Sequence, residues 1–298
     1  MIDNFDKLLH LIEDKPIRKL AIASAEGEEI IEAVSQAVEQ NIVFPILIGD
    51  EEKIEQICRK TGFDLSKCEI VDEKDMEKAA SKAVGLIRDK KADMLMKGKV
   101  GTATLLKAVL DKERGLRSGK LLSHVSVVQV ENYPKLMLVT DAGMNTKPDI
   151  NKKIEIIWNA FEVAKKLQIQ TPKVACLAAV ETVNLDMPET IDALAIKKMG
   201  EKGELKGMIV DGPVAFDVAI NAKSAEVKGI KSEVAGDTDI FLVPDIASGN
   251  ILVKSLIYLV NAKVGGVVMG GGAPIVLLSR SDSAQTKLYS IGLGAAVC

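Results

Sequence analysis

The stretch LAIASAEGEEIIEAVSQAVEQNIVFPILI, residues 20–48, carries the pattern on which the fold turns. Its opening run, Leu20 to Ala23, is continuously apolar. Ile30, Ile31, Val34, Ala37 and Val38 then recur at helical spacing on one face, and Phe44 to Ile48 returns to an unbroken apolar run. Short runs rich in Val, Ile and Leu mark strands covered on both faces, and an amphipathic helix between two of them is a crossover, so the stretch predicts a βαβ unit.

Moving outward, Met76, Ala79, Ala80, Ala83, Val84 and Ile87 follow helical spacing, and Asp93 to Met96 follows as a strand. The middle of the chain changes character. Val125 to Val130 and Leu136 to Thr140 lie close together, joined by the turn-prone Glu131-Asn132-Tyr133-Pro134, and such a hairpin marks a domain crossover. Alternation resumes with a helix through Ile154, Ile157, Trp158, Phe161 and Ala164, then strands at Lys173–Ala179, Gly207–Val210 and Asp239–Val243. A strand-like pair, Gly266–Met269 and Ile275–Leu278, precedes a short helix carrying Leu288 and Ile291. The class is α/β, without internal repeat or low-complexity segment.

With 298 residues the chain has room for two domains, or for one large α/β unit with an insertion. A hydrophobic fraction of 47% and a charged fraction of 27% are globular values. The formal charge of -3 provides no basic field, which argues against a nucleic-acid partner. The longest uncharged run, Val264 to Ser279, is shorter than the ~20 apolar residues of a membrane span and holds five glycines. The start, MIDNFDKLLHLIEDK, lacks the basic-then-apolar order of a secretion signal, so a cytoplasmic location without membrane contact is expected. Cys58, Cys68, Cys176 and Cys298 form no CxxC pair and stand apart in sequence from His10 and His124. That spacing predicts reduced thiols and no metal site.

Ligands of open parallel sheets bind beyond the carboxyl ends of strands, which directs attention to the loops there. Lys97-Gly98-Lys99-Val100-Gly101-Thr102 sets two cations and two glycines directly after a strand, suiting an anion, with a solvated charged loop as the alternative. Asp141-Ala142-Gly143-Met144-Asn145-Thr146-Lys147-Pro148 has the residues of a turn that opens a helix. In Asp211-Gly212-Pro213-Val214-Ala215-Phe216-Asp217 two carboxylates bracket a predicted turn, for proton transfer, a metal, or simply a turn and a helix cap. Ser248, Gly249 and Asn250 place small polar groups and backbone N–H donors at the start of a long apolar helix, with Lys254 a turn further on, an anion cradle in principle. Finally, Arg280 directly after a buried strand is placed to grip a phosphate through two parallel hydrogen bonds, with a salt bridge to Asp282 as the alternative.

Taken together and in order, these stretches resemble the phosphate acetyl/butyryl transferase family over nearly the whole chain, and most closely its phosphate butyryltransferase branch. They are MKGKVGT (96–102), DAGMNTKP (141–148), VDGPVAFDVA (210–219), GDTDIFLVPDIASGNILVK (236–254) and LSRSDSAQTK (278–287). The resemblance implies two αβα domains of the isocitrate/isopropylmalate dehydrogenase-like type with an interdomain cleft. We place residues 1–124 plus 270–298 in the first domain and 125–269 in the second. It further implies the reaction of acyl-CoA with phosphate to give acyl phosphate and CoA, with CoA a substrate, no cofactor, and a homodimer or larger homo-oligomer.

The family's serine-arginine pair falls on Ser279 and Arg280, the catalytic candidates, and its Gly-Asn helix start on Gly249 and Asn250. Lys97, Lys99, Asn145, Lys254, Asp282 and Thr286 complete the expected substrate-binding set. The acetyl branch has an aspartate six residues after the arginine, proposed as the base, where this chain has Thr286. Phosphate at neutral pH is already anionic, so positioning can replace deprotonation. No cysteine lies in any of these loops, so direct transfer in a ternary complex is expected. Two other classes fit the same architecture: a metal- and nicotinamide-dependent dehydrogenase, against which stands the lack of a Gly-x-Gly-x-x-Gly helix start, and a non-catalytic acyl-CoA-binding protein, which Thr286 favours.

Overall fold

The structure is a computed structural model and describes residues 1–279 and 282–298. Its strands are β1 (Arg18–Ala23), β2 (Val43–Gly49), β3 (Glu69–Asp72), β4 (Met94–Lys97), β5 (Ser123–Gln129), β6 (Met137–Thr140), β7 (Lys173–Leu177), β8 (Ile209–Val214), β9 (Ile240–Leu242), β10 (Lys263–Met269) and β11 (Ile275–Val276). The helices are α1 (Phe5–Glu13), α2 (Glu28–Glu39), α3 (Glu51–Thr61), α4 (Met76–Arg88), α5 (Thr102–Val109), α6 (Ile150–Lys166), α7 (Pro188–Glu201), α8 (Phe216–Ile220), α9 (Ala222–Val227), α10 (Ile246–Val260) and α11 (Ala284–Val297). The chain divides into two compact units, Asp6–Lys120 with Gly265–Cys298, and Met1–Phe5 with Leu121–Val264.

In the first of these units the strand order is β3-β2-β1-β4-β11-β10. All neighbours are parallel except β10 and β11, paired antiparallel through Val268 and Ile275. β1-α2-β2 is the βαβ unit expected from residues 20–48, and Ile30, Ile31, Val34 and Ala37 of α2 are buried as the spacing requires. Lone β3 escapes the apolar reading because Glu69 and Asp72 occupy its exposed edge positions.

The closing helix differs from expectation. It runs fourteen residues, and every residue from Lys287 to Val297 is buried. A helix enclosed on all sides carries no amphipathic period, so its length is invisible to a periodicity search. Gly292 and Gly294 let neighbours approach: a Cβ at Gly292 would stand 2.7 Å from Leu9 Cδ2, and one at Gly294 2.4 Å from Met94 Cε.

The second unit has the order β5-β6-β9-β7-β8. β5 and β6 form the expected antiparallel hairpin, Val125 opposite Thr140, while β6, β9, β7 and β8 are parallel. Its core gathers Val139, Ala175, Val218, Phe241 and Val253, and Tyr133 packs edge-on against Phe241 with its hydroxyl donating to the Thr238 carbonyl at 2.6 Å. The predicted turn at Asp211-Gly212-Pro213 is instead part of β8, and Asp217 belongs to α8. Proline is compatible with that strand because β8 lies at the end of the order and its register against β7 shifts between Asp211 and Val214, where the regular ladder is interrupted. Among the described residues no helix is long and apolar enough to cross a membrane.

Candidate active site

In the first unit, β1, β4 and β11 run parallel, with Ala23 level with Lys97 and Val276 level with Met96, so their carboxyl ends bring three loops together. The Gly98 N–H donates to the Ala23 carbonyl at 2.9 Å and the Lys99 N–H to the Ser24 carbonyl at 2.7 Å. That contact demands glycine: a Cβ on Gly98 would lie 2.0 Å from the Ser24 carbonyl oxygen. A cavity of about 290 Å³ opens beyond these ends, lined by Ile30, Met76, Lys97, Lys99, Leu278, Ser279 and Lys287 among others. It has cations on several sides and an apolar wall.

Lys97 is only 5% exposed, and its Nζ donates to the carbonyls of Gly98 and Val100 at 3.2 and 3.4 Å. Lys99 is exposed at the rim. Ser279, also exposed, donates its N–H to Asp282 Oδ2 at 2.7 Å, and the Asp282 N–H returns to the Ser279 carbonyl at 3.3 Å. Asp282 therefore ties a turn. Arg280, the residue expected to grip phosphate, lies outside the described residues, as does Ser281. Thr286 occupies the third position of α11, where its N–H donates to the capping Ser283 Oγ at 3.2 Å and its hydroxyl accepts from the same group at 3.2 Å. Neither Asp282 nor Thr286 lines the cavity.

A second cluster forms wholly within the other unit. The Asp141 carboxylate, 2% exposed, accepts the N–H groups of Gly143 and Met144 at 2.9 Å, that of Asn145 at 3.1 Å, and the Asn145 side-chain amide at 2.6 Å. Asn145 Nδ2 also donates to the Leu122 carbonyl at 2.9 Å, which fixes the loop after β6. α10 docks on this loop. Asp245 caps the helix by accepting the Ser248 N–H at 2.8 Å, and the Ile246 N–H reaches the Thr146 carbonyl at 3.2 Å. A Cβ at Gly249 would meet Ala142 Cα at 3.0 Å and Val243 Cγ2 at 2.8 Å. Asn250 Nδ2 donates to the Ala142 carbonyl at 3.4 Å, and Lys254 is exposed one turn along.

Asp211 is drawn into an ion pair with Lys197 at 2.8 Å. Burial pushes its carboxyl up, but the bonds from Lys197, Ser232 and the Gly212 N–H outweigh this and hold it below the ordinary value. Among the described residues no group of three or more His, Cys, Asp or Glu is placed to hold a metal.

Sequence reasoning thus singled out residues that the structure gathers in two places: Lys97, Lys99 and Ser279 in one unit, Asn145, Gly249, Asn250 and Lys254 in the other. Two residues were missed. Asp141 was quoted only as part of a turn, although it organises the whole loop. Lys287 had a signal, since it is the one charged side chain between Ala284 and Val297, a stretch otherwise fit for burial.

A family model described as "Phosphate acetyl/butaryl transferase" matches residues 6–84 and 73–295. The chain belongs to that family. It is 46% identical over 297 residues to a phosphate butyryltransferase of Clostridium acetobutylicum, covering 100% of this chain and 99% of the relative. It is 40% identical over 290 residues to a phosphate acetyltransferase of Thermotoga maritima, covering 97% and 98%. Among solved structures, the branched-chain phosphotransacylase of Enterococcus faecalis V583 superposes with a TM-score of 0.84 at 33% identity, over 94% of this chain and 99% of that one.

Proposed function

We propose that this phosphate acyltransferase converts acyl-CoA and phosphate into acyl phosphate and CoA by direct transfer, and that it prefers four- or five-carbon acyl groups to acetyl. The observation that carries the reading is the match to a phosphate butyryltransferase along the full chain, at higher identity than to the acetyltransferase. The roles follow from chemistry. Arg280 offers a planar fork to phosphate by its chemistry, while Ser279 and Lys97 line the cavity beyond the ends of β11 and β4. Lys99 and Lys254 draw in anionic substrate, Gly249 lets the start of α10 dock closely on the loop that Asn145 shapes, and Asn250 keeps one amide hydrogen beyond its bond to the Ala142 carbonyl to offer substrate. Asp282 and Thr286 serve by holding the Ser279 turn and the helix that follows it.

Direct transfer is supported by the thiols. Burial pushes Cys176 up to about 12 and Cys68 up to about 11, so neither is a thiolate at neutral pH. No cofactor beyond the two substrates is needed. Two domains of the isocitrate dehydrogenase-like type, divided as 1–124 plus 270–298 and 125–269, and a cytoplasmic homodimer or larger assembly belong to the same reading. Self-association is supported by Ile251, Tyr258 and Leu259, 66%, 68% and 79% exposed on one face of α10.

The test is thiol release from acetyl-, propionyl-, butyryl- and isobutyryl-CoA, with and without phosphate. Release is expected only with phosphate, and kcat/KM should rise roughly fourfold per added methylene until the acyl site is full, from about 0.8 kcal/mol of transfer each. Equal release without phosphate would indicate a thioesterase. A series peaking at acetyl would remove the chain-length preference while leaving the transferase intact.

A further inference from the structure

We propose that Lys287 is a phosphate-binding residue, its buried ammonium facing the cavity beyond β4 and β11 and holding an oxygen of inorganic phosphate, or of the acyl phosphate in the reverse direction. The proposal rests on the phosphate acyltransferase reading for the identity of the anion. Its physical basis is independent of it.

Lys287 is 4% exposed. An ammonium removed from water needs partners for three N–H donors, and leaving them unmet is costly. Among the described residues its one hydrogen-bond partner is the carbonyl of Asp282, and it makes no ion pair with a carboxylate there. The remaining donors belong to a side chain that lines the same cavity as Lys97, itself buried. The acid on that wall, Glu29, is exposed in the first turn of α2 and forms no ion pair with Lys287.

Position along the helix sharpens the point. Lys287 stands at the fourth residue of α11, near the end where the helix dipole is positive and a cation is disfavoured. A lysine kept for helix stability would be found at the other end. An anion at this place is favoured by the dipole and by Lys287 together. Phosphate, compact and doubly charged, suits a buried ammonium at a helix N-terminus better than a thioester, which has no charge to offer.

The experiment uses the full chain and two variants, Lys287→Met, which keeps the stem and removes the charge, and Lys287→Arg, which keeps the charge. Initial rates are measured with butyryl-CoA and inorganic phosphate varied independently, and thermal shifts are recorded with inorganic phosphate alone and with CoA alone. Lys287→Met should raise KM for phosphate at least about tenfold while KM for butyryl-CoA stays within about twofold. It should lose the thermal protection given by phosphate but keep that given by CoA, and Lys287→Arg should recover part of both losses. A folded Lys287→Met with wild-type KM for phosphate overturns the proposal. So does a rise confined to KM for CoA, which would assign the ammonium to the phosphates of that substrate.

Should Lys287→Met fail to fold, the wild-type protein decides. With isotope-labelled lysine side chains, saturating phosphate should shift the Lys287 Nζ resonance, and an unmoved resonance rejects the assignment. If the wild type turns over no acyl-CoA yet binds phosphate through Lys287, the function is wrong and the phosphate site stands.

Discussion

At the scale of single residues, Gly98 and Asp141 each hold one loop, and by different means. Gly98→Ala would drive a Cβ into the Ser24 carbonyl, a backbone atom that yields only if the end of β1 or β4 moves. A loss of about 1–3 kcal/mol in unfolding free energy is expected, as for overpacking generally, together with a fall in kcat/KM through displaced Lys97. Denaturant unfolding and thiol release measure the two. Asp141→Asn keeps the shape but replaces an acceptor with a donor opposite the amide of Asn145. The cost should be about 1–3 kcal/mol, because a buried hydrogen-bond partner is left unsatisfied; an unfolding midpoint equal to wild type would show that the loop has another anchor. The sequence made the anion-loop character of Lys97-Gly98-Lys99 legible, since two cations and a glycine after a strand have a chemical meaning on their own. It could not reveal that Lys97 is buried and Lys99 exposed, because that depends on the approach of β1 alongside, some seventy residues earlier in the chain.

At the scale of elements, α10 tests how far a helix start can move before the site fails. Gly249→Ala adds helix propensity, worth about 1 kcal/mol, while pushing the helix off Ala142 and Val243. These effects oppose each other in stability and add in geometry. The expected outcome is therefore a melting temperature near wild type with kcat/KM reduced by about tenfold or more, as for a misplaced positioning group; unchanged kinetics would show that the Asn250 side of the helix does not touch substrate. β1, α2, β2 and the β5–β6 hairpin were legible because each is patterned by its own burial, two-faced for the strands and one-faced for the helix. β8 was misread for a local reason: Gly212-Pro213 is the composition of a turn, and only the sheet order reveals that the proline sits on an edge. α11 was shortened for the opposite reason, having neither a polar face nor a breaker to announce its extent.

At the scale of the whole molecule, stability should follow the state of its carboxylates. For Asp237, burial raises the carboxyl while bonds from Lys135 and Lys173 bring it net below its ordinary value, and for Asp245 the Ser248 N–H does the same. Asp211 behaves alike. A folded value below the unfolded one means that the native state holds fewer protons. The stabilisation is thus complete above the unfolded value of 3.8 and is lost as pH falls through it toward the folded values. The melting temperature should be flat between about pH 6 and 7 and drop below about pH 4.5, and Asp211→Asn should make that drop shallower; an equally steep drop would show that this acid is not among those responsible. The α/β class was legible from alternation alone, and the family from the order of its loops, whereas the burial of Lys287 required the completed unit. That unit has a consequence for synthesis. β4 takes its neighbour from β11, and α11 fills the middle of the same unit, so residues 6–120 leave the ribosome without the partners that finish their sheet. Residues 121–264, by contrast, emerge as one uninterrupted piece. The middle of the chain can therefore fold while residues 6–120 wait with an open strand edge, exposed to chaperones or to mispairing, until residues 265–298 have been translated.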